Sequence, residues 1–556
     1  MKPKSLLYFV SSTFVLFLLS SYIAGQAVQR TIHTPAWTRA ASFGGSGTDS
    51  GAAVKVDTRG NRYVTGGFSL TARFGNKTLA SAGGTDIFLA KFGSSGELQW
   101  LLQAGGPGDD VGHDIAFDRE QNIYLSGSFT DSATFHSVNG PAKKVTGAGL
   151  TIFLAKYAPS GKLAWVQTGI ASFNGQDEAF GVAIDPATGT VFITGITQGD
   201  TTFSSSDGAE HTVPGVFTWH MFLVKYDTDG NFHWGQTNQA SPNTIPHKVA
   251  VDAHDNAYVT GWLESTTTFH SNSGHDLTVT GLSQPVQSFP DFPDDAFIVK
   301  YDAEGNAKWV NLIGGYKGIA TDIAVSEHGE ISITGFIGNI AGTPLQAKTI
   351  ATSQPGGKNI NLGGGHLTNP FNKDAFVTTY NSAGVLLKAR RIGGNENDGG
   401  SGVSYDHQGN LYVAGGFQGR INVEGQSLTG EKRFNLFVLK FKPGTGDLEW
   451  AKKADGAGQD NLEVNQGMCV TPAREVLVTG GYQNTADFDA IRLHSAGDLD
   501  IFLAELNAIP DKDKCESSRC GDKDDDKDDR DKDDDNRKNQ GAKDIHSTET
   551  YTTAGR

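Results

Sequence analysis

Short apolar strands recur along the chain, each followed by a turn and a second strand. The stretch DIFLAKFGSSGELQW, residues 86–100, is an apolar run, a turn that contains Gly96 and a strand that ends on Trp. This pattern predicts a β-hairpin. Its relatives end at Trp165, Trp234, Trp309, Lys388 and Trp450, and a last copy at 500–506 stops before its turn. Trp37 has no hairpin in front of it, so the region around it is the expected completion of that last copy.

A second recurring stretch predicts two further strands in every repeat. GAAVKVDTRGNRYVTGGF, residues 51–68, reads as a strand, an Asp-x-x-Gly-Asn turn, a second strand and Gly. Asp, Gly and Asn supply the backbone conformations that such a turn needs. The glycine after the second strand recurs at Gly66, Gly127, Gly195, Gly261, Gly335, Gly415 and Gly480. Seven units of four short strands are therefore predicted.

Seven such units could form a ring of blades or an open stack, and the incomplete units at the two ends of the repeat distinguish these arrangements. The last unit lacks its fourth strand, and the region around Trp37 supplies one, which leaves no sheet edge unpaired. Strands such as IFLAKY are apolar at nearly every position, as expected for sheets covered on both faces. We predict an all-β fold, a seven-bladed β-propeller of four-stranded antiparallel blades over residues 28–508, closed by an N-terminal strand that completes the last blade. The repeated Trp is then a packing residue.

The repeat also resembles a known family. The pattern GGxGxD…VxxDxxGNxYVTGxF…DxFLxKYxxxGxLxW covers nearly all of residues 37–506 and resembles the bacterial secreted β-propeller repeat proteins, called SBBP repeats. The resemblance implies export and a propeller, and it implies no single activity. The chain departs from the pattern at Lys388, where Trp is expected, and at Thr379 and Glu505, where Lys is expected.

The two ends of the chain differ from the repeat in composition. Residues 1–27 have a basic start, an apolar middle and small residues at 25–27, which predicts a cleaved secretory signal peptide, with an uncleaved membrane anchor as the alternative. Residues 509–556 are rich in Asp and Lys and are predicted to be disordered, as a flexible tether or, alternatively, a calcium-binding tail. Cys515 and Cys520 are candidates for a disulfide in an exported protein.

Charge narrows the class of partner. The 556 residues carry a formal charge of −16 at pH 7, which argues against nucleic acid and anionic membranes as partners. We expect a monomer that is secreted or held at the cell surface, with the periplasm as a further possibility, and without a transmembrane segment after cleavage. No cofactor is required, and Ca²⁺ is a candidate ligand.

Acidic loops join the fourth strand of one unit to the first strand of the next. In a propeller these loops converge on one face, where carboxylates could hold Ca²⁺ or a cationic ligand. The alternative is that each Asp closes a turn onto its own backbone, which we favour because two units lack the acid. The candidate metal ligands are Asp49, Asp109, Asp177, Asp398 and Asp460.

Two long segments between second and third strands break the repeat. They run for 34 positions from Gly261 to Asp295 and for 39 from Gly335 to Asp374. Long loops on a rigid scaffold are where binding residues concentrate, although neutral loop growth would give the same pattern. We predict a ligand face over units four and five for an extracellular glycan, a peptide or a surface protein. The candidate ligand-binding residues are Trp219, His220, Trp262, His270, His275, Phe289, Phe292, His366, Asn369 and Phe371.

Motifs for catalysis are missing from the sequence. It contains no nucleophile elbow, zinc-protease motif or phosphate-binding loop in a supporting context. We therefore predict a binding or scaffold protein and assign no catalytic residue. The alternative is a secreted propeller enzyme, a glycoside hydrolase or polysaccharide lyase, with its site at the channel mouth over units four and five. His113, His247 and His366 are residues that could serve such a site.

Overall fold

The computed structural model describes residues 35–507, with gaps at 174–176, 186, 242, 283–293, 315, 339–348, 353–359, 362–371, 432 and 458–466. The described residues form strands and turns and contain no helix, which confirms the all-β prediction. Accordingly, this part of the chain has no helix that is long and apolar enough to cross a membrane. Residues 1–27 and 509–556, including Cys515 and Cys520, lie outside the described residues, and their assignments stay predictions.

The strands pair antiparallel in sets of four, numbered here in chain order, and β1 (Ala36–Gly45) joins the last set. Set one contains β2 (Ser50–Val56), β3 (Arg62–Phe74), β4 (Lys77–Phe92) and β5 (Leu98–Gly105). Set two contains β6 (Val111–Phe117), β7 (Ile123–Phe135), β8 (Lys143–Tyr157) and β9 (Leu163–Ala171).

From set three onward, the second and third strands of a set are separated by a short hairpin. Set three contains β10 (Glu178–Ile184), β11 (Val191–Thr197), the hairpin β12 (Thr201–Ser204) and β13 (Glu210–Val213), β14 (His220–Tyr226) and β15 (Phe232–Ser241). Set four contains β16 (Thr244–Val251), β17 (Ala257–Glu264), the hairpin β18 (Thr266–Phe269) and β19 (Leu277–Thr280), β20 (Asp294–Tyr301) and β21 (Ala307–Ile313). Set five contains β22 (Tyr316–Val325), β23 (Ile331–Gly338), the hairpin β24 (Thr349–Thr352) and β25 (Ile360–Asn361), β26 (Lys373–Tyr380) and β27 (Leu386–Gly394).

The last two sets follow the same order. Set six contains β28 (Asp398–Tyr405), β29 (Leu411–Phe417), the hairpin β30 (Arg420–Val423) and β31 (Gln426–Thr429), β32 (Asn435–Phe441) and β33 (Leu448–Ala454). Set seven contains β34 (Gly467–Val470), β35 (Glu475–Tyr482), the hairpin β36 (Thr485–Phe488) and β37 (Ile491–His494), and β38 (Asp500–Asn507).

Set seven takes its fourth strand from the start of the chain. β1 pairs with β38 from Ala36↔Asn507 to Phe43↔Ile501. The sequence predicts that Trp37 takes the place of the repeated Trp, but the register of β1 on β38 does not put it there. In set one the hairpin Lys91 faces Trp100, whereas in set seven the equivalent Glu505 faces Arg39. The bulge between Trp37 and Arg39 matches the one at Gln99 in set one, so Trp37 takes the position of Leu98, and Arg39 stands where the other sets have Trp.

The hairpins after the second strands were not predicted, and they tie consecutive sets together. In set one, where β3 and β4 themselves extend into the hairpin, Ala72 pairs with Gly45 of β1. In set two Phe135 pairs with Ala104 of β5, and β12 pairs with β9 in the same way. Each of these hairpins therefore joins the edge of the preceding set by main-chain hydrogen bonds, which covers strand edges that would otherwise be exposed.

Apolar side chains from neighbouring sets pack against each other. Tyr63 of set one and Ile123 of set two, for example, are fully buried in the same core cluster. The repeated Trp lies at this boundary, because its indole N–H donates to the turn between the third and fourth strands of the next set. Trp100 donates to Pro159 O at 3.3 Å, and Trp309 donates to Ser382 O at 3.1 Å. The predicted packing role of the repeated Trp is confirmed.

Candidate functional site

The first strands of all seven sets line one cavity of about 320 Å³. Each of these strands contacts the next, and β34 of set seven contacts β2 of set one. Most of the lining residues are small or apolar. Four lining residues carry charge and do not follow the repeat: Lys55, Asp114, Lys248 and Asp322.

Lys248 and Asp114 brace one side of this cavity. The Lys248 ammonium lies 3.0 Å from Asp114 Oδ2 and also donates to the carbonyl of Phe180 at 3.4 Å. Asp114 accepts further hydrogen bonds from the amides of Ile115 at 2.9 Å and Val182 at 3.3 Å. These contacts join sets two, three and four, so the pair has a structural role.

Lys55 and Asp322 have fewer partners. Asp322 accepts a hydrogen bond from the Val403 amide at 2.8 Å, and burial raises its pKa to about 6. Burial would lower the pKa of Lys55, but the nearby carboxylates of Asp114 and Asp322 outweigh this effect and raise it. Among the described residues, Lys55 has no hydrogen-bond or ion-pair partner within contact distance.

The structure brings together two histidines of the catalytic alternative. His113 Nε2 lies 3.1 Å from Glu178 Oε2. The rings of His113 and His247 both meet Phe180 edge-on, at centroid distances of 5.3 Å and 6.3 Å. Burial, assisted by the charge of Lys248, lowers the pKa of His247 to about 4. His366 lies outside the described residues.

The acidic loop residues hydrogen-bond to backbone amides. Asp49 accepts from Gly45 N at 2.8 Å and Ser69 N at 3.1 Å, and thereby links the loop to the hairpin. In set two the equivalent residue is Asp110 rather than the predicted Asp109, because Asp110 accepts from the amides of Gly106 at 2.7 Å and Thr130 at 2.9 Å.

The remaining loop acids make similar contacts. Asp177 accepts from Gln198 N at 3.1 Å, Asp398 accepts from Gly394 N at 2.8 Å, and the exposed Asp109 accepts from Thr85 N at 2.9 Å. Burial raises the pKa of Asp49 and of Asp177 to about 6, that of Asp110 to about 7, and that of Asp398 well above its usual value.

No cluster of three or more His, Cys, Asp or Glu side chains within the described ranges has a geometry for a metal ion. Asp460 lies outside these ranges. The calcium hypothesis for the loop acids therefore stays a prediction, and the observed contacts give the four described carboxylates a role in holding loops. A shift of the melting temperature on adding Ca²⁺ would support a metal site.

The described ligand-binding candidates differ in how exposed they are. His220 is fully buried and its Nδ1 lies 2.9 Å from the Thr218 carbonyl oxygen. Trp219 and Trp262 are half-buried, whereas His275 is exposed. The residues that lie outside the described part of the chain are Phe289, Phe292, His366, Asn369 and Phe371.

His270 lies in a second cavity, a groove of about 400 Å³ beside β15. The groove is lined by residues 213–216, residues 235–239 and His270. The Asp276 carboxylate lies 2.8 Å from His270 Nδ1 and orients the imidazole. Asn238, 1% exposed, uses its Oδ1 to accept the Met221 amide at 2.6 Å, and its Nδ2 has no partner among the described residues.

An exposed aromatic pair adjoins this groove along the chain. Phe217 directly follows the lining residue Val216 and is 77% exposed, and Phe173 is 52% exposed. Their rings meet edge-to-face with centroids 5.8 Å apart. Sequence reasoning missed this pair, although both rings are aromatic residues outside the repeat pattern.

The charged channel residues also had a detectable signal. Asp114, Lys248 and Asp322 occupy equivalent positions in their first strands, each directly after the bulge. Aligning the repeats would have shown charged side chains at a position where sets one and six have Ala53 and Gly402. Charged side chains at an inner position of an apolar strand indicate a channel rather than a core.

Comparisons with known proteins agree on the class. A family model described as a beta-propeller repeat matches residues 99–128. An uncharacterized WD repeat-containing protein of Acanthamoeba polyphaga mimivirus is 23% identical over 439 residues, which cover 69% of this chain and 30% of that protein. The chain thus spans less than a third of the length of this curated relative. Together with the antiparallel sets, these matches define a β-propeller repeat protein.

Solved structures similar to this chain include two proteins of low sequence identity. The Cps50 (Swd1) beta-propeller domain of Myceliophteria thermophila is 10% identical, with 71% of this chain and 96% of that chain covered and a TM-score of 0.26. A Synechocystis apocarotenoid oxygenase is 12% identical, with 84% of this chain and 95% of that chain covered and a TM-score of 0.35.

Proposed function

We propose that this β-propeller repeat protein binds an extracellular glycan through the groove beside β15. The observation that carries the proposal is the buried Asn238 amide, which lines the groove without a partner for its Nδ2 among the described residues. Buried polar groups usually have hydrogen-bond partners, so an unpartnered donor in a groove suits a ligand that brings acceptors. Sugar hydroxyls accept from such an amide and can also donate to the imidazole of His270.

The aromatic pair supports a glycan over a charged ligand. Phe173 and Phe217 present apolar faces to solvent near the end of the groove, and Pro214 and Val216 add an apolar wall. Contiguous exposed apolar patches often mark binding sites, and aromatic rings suit the apolar faces of sugar rings. A peptide or a surface protein remains the competing ligand class that the test below distinguishes.

The scaffold of this site is proposed to be a ring of seven blades closed by β1. Support comes from the pairing of β1 with β38 and from the contact of β34 with β2, which brings the first and last sets together. Export to the cell surface, the medium or the periplasm is proposed from the predicted signal segment at 1–27. We also propose that the protein acts as a monomer.

A glycan array probed with the purified protein tests the function. We expect binding to a defined set of glycans and a loss of about tenfold or more in Phe217→Ala and Asn238→Asp, which retains the acceptor for the Met221 amide. Val385→Ala is the control, because Val385 is a comparably exposed apolar residue in the turn between β26 and β27. Binding that is absent for all glycans, or unchanged in both groove variants, would overturn the proposal.

A second candidate function is cleavage of a polysaccharide at the channel mouth. The His113–Glu178 pair favours it, because an imidazole beside a carboxylate can carry out general acid–base catalysis. Release of new sugar ends by the wild-type protein, and its loss in Glu178→Gln, would support this candidate. No release from any polysaccharide that the protein binds would exclude it.

A further inference from the structure

Two opposite charges face the central cavity with unused hydrogen-bonding capacity. The Lys55 ammonium has no contact partner among the described residues, and the Asp322 carboxylate accepts one hydrogen bond, from Val403 N at 2.8 Å. Asp114, in contrast, already meets Lys248 and two backbone amides. Lys55 and Asp322 are thus the groups of the charged cluster that are left to meet a ligand.

A structural brace does not explain these two residues. Both side chains are half-buried and face the cavity, and they do not form an ion pair with each other within 4.0 Å in the described chain. Charges that are partly withdrawn from water are costly unless they are paired. They come from sets one and five, whereas the bracing contacts of Lys248 are made to sets two and three. A ligand that carries both charges would satisfy both side chains at once.

The size and net charge of the cavity limit this ligand. A volume of about 320 Å³ is at the lower end of small-molecule sites and is too small for a folded partner or a long glycan. The two lysines and two aspartates that line the cavity cancel in formal charge. A ligand with a net charge would leave one side chain uncompensated, whereas a zwitterion would not.

We propose that the central cavity binds a zwitterionic small molecule of the free α-amino acid class, with its carboxylate at Lys55 and its ammonium at Asp322. The groups that face these two side chains are Asp114 and Lys248, which remain paired with each other. This site is independent of the glycan groove, which is lined by different residues. It provides the repeat protein with a second, small-molecule ligand.

Calorimetric titration of the full chain with the common free amino acids, each tested singly, examines this proposal. At least one is expected to bind, and its N-acetyl and carboxamide derivatives, which each lack one charge, are expected to bind roughly tenfold or more weakly. Dipeptides separate an amino acid site from a site for peptide ends, since a dipeptide that binds as tightly as the free amino acid would overturn the stated class.

Variants test the two assigned contacts. Lys55→Met and Asp322→Asn, which keeps an acceptor for the Val403 amide, are each expected to weaken binding about tenfold or more. Lys77→Met is the control, because Lys77 is an exposed lysine in set one. Should Lys55→Met fail to fold, Asp322→Asn and the N-acetyl and carboxamide derivatives still test the proposal. The proposal would be contradicted if no amino acid binds. It would also be contradicted if binding is unchanged in Asp322→Asn, or if the N-acetyl and carboxamide derivatives bind as tightly as the free amino acid.

Discussion

Single side chains hold neighbouring sets together at one recurring point. In the regular sets, a Trp and a Lys donate to the same carbonyl in the next set, as Trp309 and Lys300 do to Ser382 O at 3.1 and 3.2 Å. Lys388, at a position where Trp is expected, donates to the Gly444 carbonyl in the equivalent turn. The departures from the repeat therefore keep its hydrogen bond while changing its side chain.

The boundary between set seven and set one uses charges at this point. Arg39 replaces Trp and donates to Ser94 O at 3.2 Å, and Glu505 replaces Lys and lies 2.6 Å from the buried Arg62. Arg62 also donates to Gly93 O at 3.0 Å. The buried Arg62 explains why Glu505 is tolerated in place of Lys. A buried carboxylate without such an arginine would cost several kcal/mol.

Trp309 and Trp450 form a matched pair that isolates the indole hydrogen bond. Both are buried, but Trp450 has no indole hydrogen-bond partner among the described residues, and the equivalent acceptor position, Ala508, lies outside them. Trp309→Phe is expected to lower the free energy of unfolding by about 1 kcal/mol more than Trp450→Phe. Denaturant titrations of both variants measure this difference, and equal losses would show that the hydrogen bond contributes nothing.

His247 is expected to make stability depend on pH. Burial and the charge of Lys248 lower its pKa to about 4, against an ordinary value of 6.5. A histidine with a lowered pKa contributes stability above pH 6.5 and loses it as the pH falls towards 4, on the order of 2 kcal/mol. Denaturant titrations at pH 7 and pH 4.5 are expected to show a smaller difference in His247→Gln than in wild type. The same difference in both proteins, or an equal effect of replacing the more exposed His233, would contradict this assignment.

At the scale of elements, the linking hairpins were harder to predict than the repeat strands. Except for β34, the repeat strands are at least seven residues long and have a regular apolar pattern and fixed glycines, which is enough for prediction. The hairpin strands β12, β18 and β30 are four residues long, and their pairing partners lie in the preceding set. Such non-local pairing leaves little pattern in the chain, although the Gly75 and Gly425 turns were visible signals.

The candidate site was predictable only in part, because it too depends on contacts between sets. The long segment between the second and third strands of set four drew attention to His270, which lines the groove, because loop length is visible in a sequence. Asn238 and the channel residues were missed, because each is a polar residue within a strand and its exposure to a cavity depends on packing between sets.

A substitution of Asp110 tests whether the loop carboxylates anchor the hairpins that link neighbouring sets. Its carboxylate accepts the amides of Gly106 and Thr130, and both donors would lose their acceptor in Asp110→Ala. The free energy of unfolding is expected to fall by about 2 kcal/mol or more. Asp109→Ala is the control, since the neighbouring Asp109 is exposed and accepts one amide. Similar small losses in both variants, measured by denaturant titration, would contradict the anchoring role.

At the scale of the whole molecule, the position of every proposed site depends on how the two ends of the repeat meet. A ring places the loop face, the groove beside β15 and the central cavity on one rigid scaffold, whereas an open stack would expose β38 and β34 at one end. The pairing of β1 with β38 and the contact between β34 and β2 both favour the ring.

Formation of a disulfide between β1 and β38 tests most directly whether the ring is closed. Ala40 and Ala504 are directly opposed in the β1–β38 register, and opposed residues in antiparallel strands lie within disulfide range. We expect Ala40→Cys with Ala504→Cys, in a chain that also carries Cys515→Ser and Cys520→Ser, to form an intramolecular disulfide that mass spectrometry detects and that raises the melting temperature. Ala40→Cys alone is the control. A disulfide that forms only between two molecules, or none at all under oxidising conditions, would contradict the closed ring.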